Sequence, residues 1–327
     1  MTATLPIQRL MRRRIPEFAP VTPQSIALFR LGEACNHDCP MCSNSGRPEA
    51  FFVQHDDLLR RVDFVAAAGL RRVVLTGGEP TIHPAFWQVV AALQAKGLVW
   101  DINSNGSRFA DGAFAARAVE EGLQRAIISL HSLDETKSCT ISGIKPKGHA
   151  AILQGVGNLL DAGVPVLLNC VLTNLTANDV LLYVHGVVAK WGPLVAIKFC
   201  FPSTAGKGGQ WPGLQLLYRD IQDQLRSVHH LAQTDGLDIV FESVPPCVLG
   251  DGSLRNISRS GFGETHYLDD VSGDRLYSIA HIEAQFSALP ESCKPCAVFD
   301  RCPGPAESYL RQHGAAEFVP FQRATAR

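Results

Sequence analysis

Long apolar runs are missing from this chain: nowhere do about 18 apolar residues follow one another, as a membrane span requires. Net charge is nearly absent too, −1 over 327 residues, so no overall field favours nucleic acid or an anionic membrane as a partner. The local exception is an N-terminal arm, residues 1–25, where Arg9, Arg12, Arg13 and Arg14 read as solvated charge. No apolar segment follows them, which argues against a secretory signal and for a cytoplasmic protein. Repeats at solenoid spacing and low-complexity tracts are absent. The composition, 46% hydrophobic and 19% charged, is that of an ordinary globular protein.

Cysteine, by contrast, is plentiful: the chain has ten. In a reducing compartment disulfides are disfavoured, so clustered thiols point toward metal ligation. Three of the ten, Cys139, Cys170 and Cys200, stand apart from the clusters. Cys170 reads as a core thiol on a buried strand. Cys200 lies near a strand end and reads first as buried, with a substrate-facing role as its alternative.

From residue 26 to 235, short β-branched or apolar runs alternate with amphipathic stretches. Strands are predicted at Ile26–Leu31, Arg72–Thr76, Val99–Asn103, Arg125–Leu130, Val164–Val171 and Leu194–Phe201. Helices are predicted between and after them at Asp57–Ala68, Ala85–Lys96, Ala113–Glu121, His149–Asp161, Ala177–Lys190 and Leu214–Thr234. Gly69, Gly97, Gly122 and Gly163 sit where left-handed helix caps are wanted. Such repeats force parallel pairing with right-handed crossovers, giving an α/β fold that is either a partial (β/α)6 barrel or an open doubly wound sheet. After residue 236 the rhythm changes. A strand at Leu237–Glu242, a Gly- and Ser-rich stretch through Gly263, and a hairpin around Val271-Ser272-Gly273-Asp274 suggest a small C-terminal α+β domain, residues 236–327.

The first cysteine cluster, Cys35-x3-Cys39-x2-Cys42, directly follows the first predicted strand. Three thiolates on one loop do not complete a tetrahedral zinc site, and His37 is poorly spaced to be the fourth ligand. In a [4Fe–4S] cube they leave one iron without a protein ligand, open to chemistry. The second strand ends in Gly77-Gly78-Glu79-Pro80, where glycines permit close backbone approach and a carboxylate can accept from an ammonium. Further polar residues fall at later strand ends: Ser104 and Asn105, Ser129, and Asn169. All of them collect at the C-terminal ends of strands, where such folds carry active sites. His37 and His131 also fall near this rim and read as satisfied loop histidines. Phe201–Gly209 lacks phosphate-loop spacing and reads as a flexible loop over the mouth.

In the C-terminal region, Cys293-x2-Cys296-x5-Cys302 is joined by Cys247 upstream. Four thiolates satisfy either a second [4Fe–4S] cluster or a structural zinc, and spacing alone does not separate the two.

These motifs together resemble the radical S-adenosylmethionine (SAM) superfamily, whose core is a partial (β/α)6 barrel. The resemblance implies a SAM-binding [4Fe–4S] cluster on Cys35, Cys39 and Cys42, with the open iron chelating the amino and carboxylate groups of SAM. One-electron reduction then gives methionine and a 5′-deoxyadenosyl radical. It further implies SAM contacts from Gly77, Gly78, Glu79, Ser104, Asn105, Ser129 and Asn169, with Met41 standing where the family usually has an aromatic residue. The C-terminal cysteines resemble SPASM or Twitch-like extensions, which implies one auxiliary [4Fe–4S] cluster on Cys247, Cys293, Cys296 and Cys302. The fuller SPASM pattern has more cysteines. By this resemblance the chain is an enzyme that modifies a small-molecule or natural-product substrate by hydrogen abstraction, drawing electrons from a donor such as flavodoxin or ferredoxin. Peptide maturation, aminocarboxypropyl transfer and a non-catalytic iron–sulfur carrier are the alternatives.

Overall fold

The computed structural model describes residues 10–43, 51–203, 206–252, 257–258, 265–269 and 272–322. Arg9, Thr204, Ala205, Gly263 and Val271, which the sequence reading used, lie outside the described residues.

Six strands follow the predicted rhythm: β1 (Ile26–Arg30), β2 (Arg72–Thr76), β3 (Val99–Ser104), β4 (Leu123–Ser129), β5 (Val166–Val171) and β6 (Ala196–Cys200). They lie side by side in chain order, and every pair is parallel. Crossovers run through α1 (His55–Ala67), α2 (Phe86–Ala95), α3 (Gly112–Glu120), α4 (Glu135–Ser142), α5 (Pro146–Asp161) and α6 (Val180–Trp191), with α7 (Tyr218–Thr234) after β6. The predicted caps Gly69, Gly97, Gly122 and Gly163 all take positive φ. The sequence periodicity missed α4, because Glu-Thr-Lys-Ser-Cys-Thr-Ile-Ser has no apolar stripe. Its start is set instead by Asp134, whose carboxylate accepts from Lys137 N at 2.8 Å.

The stretch after residue 236 does not keep to itself. β7 (Ile239–Glu242) pairs parallel to β6, and β8 (Ile257–Ser258) pairs parallel to β7. After α8 (Pro246–Leu249), which falls between those two strands, the chain crosses to the opposite edge of the sheet. There β9 (Thr265–Leu268) pairs parallel to β1, and β10 (Leu276–Ser278) completes an antiparallel hairpin with it. The boundary at 235/236 therefore does not divide the sheet. Two helices follow, α9 (Ile279–Phe286) and α10 (Glu307–His313). Among the described residues the ten strands form a partial barrel that does not close, with β8 and β10 as its edges. No described helix is long and apolar enough to cross a membrane.

Strand alternation sorts the side chains into two faces. On the outer face Phe29, Leu75, Ile102, Leu168, Phe199 and Phe241 pack in the main core that includes the helices' buried faces. The inner face is layered. At its base, buried Asp101 accepts from Arg72 at 2.8 and 2.9 Å and from Arg125 at 3.1 Å. Above it Ile26, Val74, Ile127 and Leu167 form an apolar plug. Further along β2 to β6 the inner face turns polar, with Thr76, Asn103, Ser129, Asn169 and Lys198. That change of composition sets the depth of the cavity above.

The N-terminal arm departs from the solvated reading. Leu10–Met11 pairs antiparallel with Leu289–Pro290, Arg12 Nε donates to Glu307 at 2.6 Å, and Arg13 donates to Cys302 O at 3.3 Å. Part of the arm is a structural strap on the C-terminal cysteine region.

Candidate active site

Above the polar layer opens a cavity of about 680 Å3 at the C-terminal ends of the strands. Cys35, Met41, Cys39 and Cys42 line it from the loop after β1; Gly77, Gly78, Ser104, Asn105, Ser129 and Asn169 line it from the strand ends. The structure thus gathers every predicted SAM contact except Glu79 around one space.

The cysteine loop is held by backbone contacts on several sides. Gly78 N donates to Gly32 O at 2.9 Å and Glu79 N to Ala34 O at 2.9 Å, while Glu33 N and Ala34 N donate to Phe51 O at 2.8 and 3.1 Å. A Cβ on Gly78 would sit 2.3 Å from Ala34 O and 2.4 Å from Glu33 O. The close approach that requires glycine here is thus that of the cysteine loop itself. Gly143, left-handed at φ 60° after α4, presses from the opposite side: a Cβ there would lie 2.0 Å from Asp38 O. Cys39 Sγ meets Ser142 O at 3.3 Å. Met41, 8% exposed, packs with Ile141 and Leu214.

Glu79 is 2% exposed and already accepts four hydrogen bonds. Oε1 takes Thr81 N at 3.1 Å, Thr81 Oγ1 at 2.6 Å and Ser104 Oγ at 2.8 Å; Oε2 takes Asn105 N at 2.7 Å. Burial raises its pKa, and these donors offset part of the rise. As placed, the carboxylate ties the end of β2 to the end of β3 and so positions Ser104 and Asn105. Asn105 Nδ2 in turn donates to Asn36 Oδ1 of the cysteine loop at 2.7 Å.

Strand periodicity holds two residues that the motif reading did not single out. Lys198 and Glu242 also line the cavity, with Lys198 Nζ 2.9 Å from Glu242 Oε2. Their signal in the sequence is a charge inside an apolar strand, Ala-Ile-Lys-Phe-Cys and Ile-Val-Phe-Glu. Cys200 lines the same cavity, 8% exposed, and its thiol donates to Asn169 Oδ1 at 3.1 Å. His131 is 4% exposed; its Nδ1 accepts from Val171 N at 3.1 Å, and burial lowers its pKa to about 4. It is a neutral imidazole whose remaining proton sits on Nε2. Cys170 lies on the outer face, 2% exposed, and Cys139 is half-buried in α4.

Three thiols on one loop are the donor type that a [4Fe–4S] cluster with one open iron would take, and among the described residues no three His, Cys, Asp or Glu side chains are grouped to hold a single metal ion. Burial first, then neighbouring Cys42 and Cys35, push the Cys39 thiol up to about 12. Thiols crowded in this way resist ionising until a cationic iron centre joins them. The second group behaves alike: Cys247, Cys293, Cys296 and Cys302 surround one small apolar recess with Leu289, Val298 and Phe321. Burial, followed by the other three cysteines, pushes Cys247 up to about 12.

Comparison with known proteins agrees with this geometry. Residues 29–183 match the family model described as the Radical SAM superfamily. A "Probable GTP 3′,8-cyclase" of Thermococcus kodakarensis is 30% identical over 154 residues, 46% of this chain and 47% of that protein. The chain thus matches about half the length of such curated relatives. Among solved structures, native anSMEcpe with bound AdoMet and Cp18Cys peptide superposes with a TM-score of 0.60 at 15% identity, covering 91% of this chain and 92% of that one. Streptococcus suis SuiB bound to precursor peptide SuiA gives 0.54 at 14% identity, over 67% of this chain and 48% of that one. At such identities these likenesses speak for the fold alone. Over residues 29–183, just under half of its length, the chain is thus similar to the radical SAM superfamily.

Proposed function

We propose that this protein is a radical SAM enzyme that cleaves SAM reductively and uses the radical to abstract hydrogen from a small-molecule or natural-product substrate. The observation that carries the reading is the shared cavity: three thiols on one wall, and Gly78, Ser104, Asn105, Ser129 and Asn169 around the same rim. A [4Fe–4S] cluster held by Cys35, Cys39 and Cys42 supplies the electron and the open iron when bound. The chain's own work is positioning. Glu79 sets the β2 and β3 ends, Gly78 and Gly143 seat the cysteine loop, and Met41 offers an apolar surface beside it. His131 stays neutral and adds no charge to the cavity. In this reading Cys247, Cys293, Cys296 and Cys302 hold one auxiliary cluster, and a flavodoxin or ferredoxin serves as electron donor in the cytoplasm.

The name of the Thermococcus kodakarensis relative raises a nucleotide substrate. Charge speaks against it: both lysines lining the described cavity are already paired, Lys198 with Glu242 and Lys207 with Asp38. A triphosphate is itself anionic, and carboxylates held against the only lysines lining the described cavity repel it.

The test is anaerobic reconstitution followed by SAM and dithionite. Formation of 5′-deoxyadenosine, with about eight irons per chain, supports the reading. Intact clusters with none formed overturn the enzyme; about four irons plus one zinc overturn the auxiliary cluster alone.

A further inference from the structure

Of the ion pairs formed by strand residues, Asp101 with Arg72 and Arg125 does not line the cavity, whereas Arg30 with Glu33 reaches it through Glu33 and Lys198 with Glu242 lines it with both partners. Asp101 with Arg72 and Arg125 sits below the apolar plug, where its task is to close the base. Lys198 and Glu242 sit above the plug, on β6 and β7, on the wall left over once the expected SAM contacts are set aside. Lys198 is only 8% exposed. Burying such a pair in an open, ligand-sized cavity is costly and adds little stability.

The pair is also not saturated. The lysine ammonium has three donors and among the described residues makes one hydrogen bond, to Glu242 Oε2 at 2.9 Å. Glu242 Oε1 takes only a weak contact from the Cys200 thiol at 3.6 Å. A free cationic donor and a free anionic acceptor therefore stand side by side. Burial alone would lower the Lys198 pKa, but its acidic neighbours, the Glu242 and Glu283 carboxylates among them, outweigh it and the net shift is upward, so the ammonium stays charged.

A second, independent feature marks this wall. Ser243, directly after Glu242 and lining the same cavity, has φ 58°, the one positive value among described non-glycine residues. Left-handed backbone in a serine is strained and persists where its surroundings impose it. Here Tyr218 Oη donates to Ser243 O at 2.6 Å, and Tyr218 is itself stacked on Phe201 at 3.7 Å. The strain fixes the direction in which the chain leaves Glu242.

We infer that Lys198 and Glu242 are the substrate-recognition pair, and that the substrate presents an amino-acid residue, its nitrogen donating to Glu242 and its carboxylate or carbonyl oxygen accepting from Lys198. The inference rests on the proposed function and narrows its substrate class. The shared chemistry, an N–H donor beside an oxygen acceptor, is found both in a free amino acid and in a residue within a peptide.

The experiment uses reconstituted, SAM-loaded protein in equilibrium dialysis against three probes: a pool of free proteinogenic amino acids, a pool of their N-acetyl amides, and GTP. Retention of a member of the first pool identifies a free amino acid, and of the second a peptide-embedded residue. Binding is expected to fall at least about tenfold in Glu242→Gln and in Lys198→Met. The double variant Lys198→Glu with Glu242→Lys retains an ion pair but exchanges its ends, so it restores a structural role and not recognition. Thermal melting and SAM retention establish that each variant is folded. The inference fails if SAM-loaded protein retains neither pool, if GTP is retained instead, or if the exchanged pair binds as wild type does. A wild-type protein that makes no 5′-deoxyadenosine overturns the proposed function; one that makes it yet retains neither pool overturns this inference alone.

Discussion

The two cysteine groups of this chain are built in opposite ways. The first sits on a loop at the rim of a parallel sheet, seated by glycines against backbone, and opens on a cavity of about 680 Å3 with polar walls. The second is assembled from short elements: Cys247 in a one-turn helix, and Cys293, Cys296 and Cys302 in turns strapped by the N-terminal arm. Its surroundings are Leu289, Val298, Phe299 and Phe321, with almost no free volume. An open polar site admits ligands to the metal; a closed apolar one excludes water and ligands alike. Under the proposed function, the contrast fits chemistry at the first group and electron transfer or structural support at the second.

The sharpest way to break the comparison is to remove each group in turn. Replacing Cys35, Cys39 and Cys42 together by Ala is expected to abolish 5′-deoxyadenosine formation and remove about four irons per chain, leaving the melting temperature nearly unchanged. Replacing Cys247, Cys293, Cys296 and Cys302 by Ala should also cost about four irons, but with a clear loss of stability, because the apolar nest loses its centre. Metal analysis and thermal melting read both. If the first set lowers stability more than the second, the division between a chemical and a structural site is wrong.

A smaller effect tests how the first loop is seated. Gly78→Ala places a methyl group 2.3 Å from Ala34 O, backbone against backbone, so the cysteine loop must move. About 2–3 kcal/mol of destabilisation is expected, read by denaturant unfolding, together with incomplete iron loading at the first group. Gly112→Ala is the control: its Cβ meets nothing within 4 Å, and stability should hold or rise slightly. Equal loss at both positions would mean that glycine at 78 serves only the local backbone.

Most of the rim was legible in the sequence because strand alternation and strand ends are local signals. Cys35, Ser129 and Asn169 needed only their positions to be grouped. Glu79 was harder: nothing in Gly-Gly-Glu-Pro says that Ser104 and Asn105, a strand away, will occupy its oxygens. Lys198 and Glu242 passed as strand residues because their meeting depends on β6 and β7 being neighbours, and β7 had been assigned to a separate domain. The same assignment hid the path of the chain to β9 on the far edge. The strap was illegible for a related reason, since Arg12 and Glu307 are 295 positions apart.

That strap provides the mildest test of the contrast. Glu307, on α10, accepts from Arg12 and from Arg311, which lies one turn on. Burial pushes its pKa up, but the two guanidiniums outweigh it, and the net shift is downward. A folded-state pKa below the unfolded value stabilises the fold above the unfolded pKa, about 4.3, and the stabilisation is lost as pH falls through the folded value. Glu307→Gln should therefore cost about 1 kcal/mol or less at neutral pH, since Arg12 is largely exposed and water screens it. The difference from wild type should begin to shrink as pH falls below about 4.3 and should vanish once the pH lies below the depressed folded value. Urea unfolding across that range measures it. Because the strap touches only the second cysteine group, iron loading at Cys35, Cys39 and Cys42 should not change; if it falls, the two regions are coupled and their separation into open and closed sites does not hold.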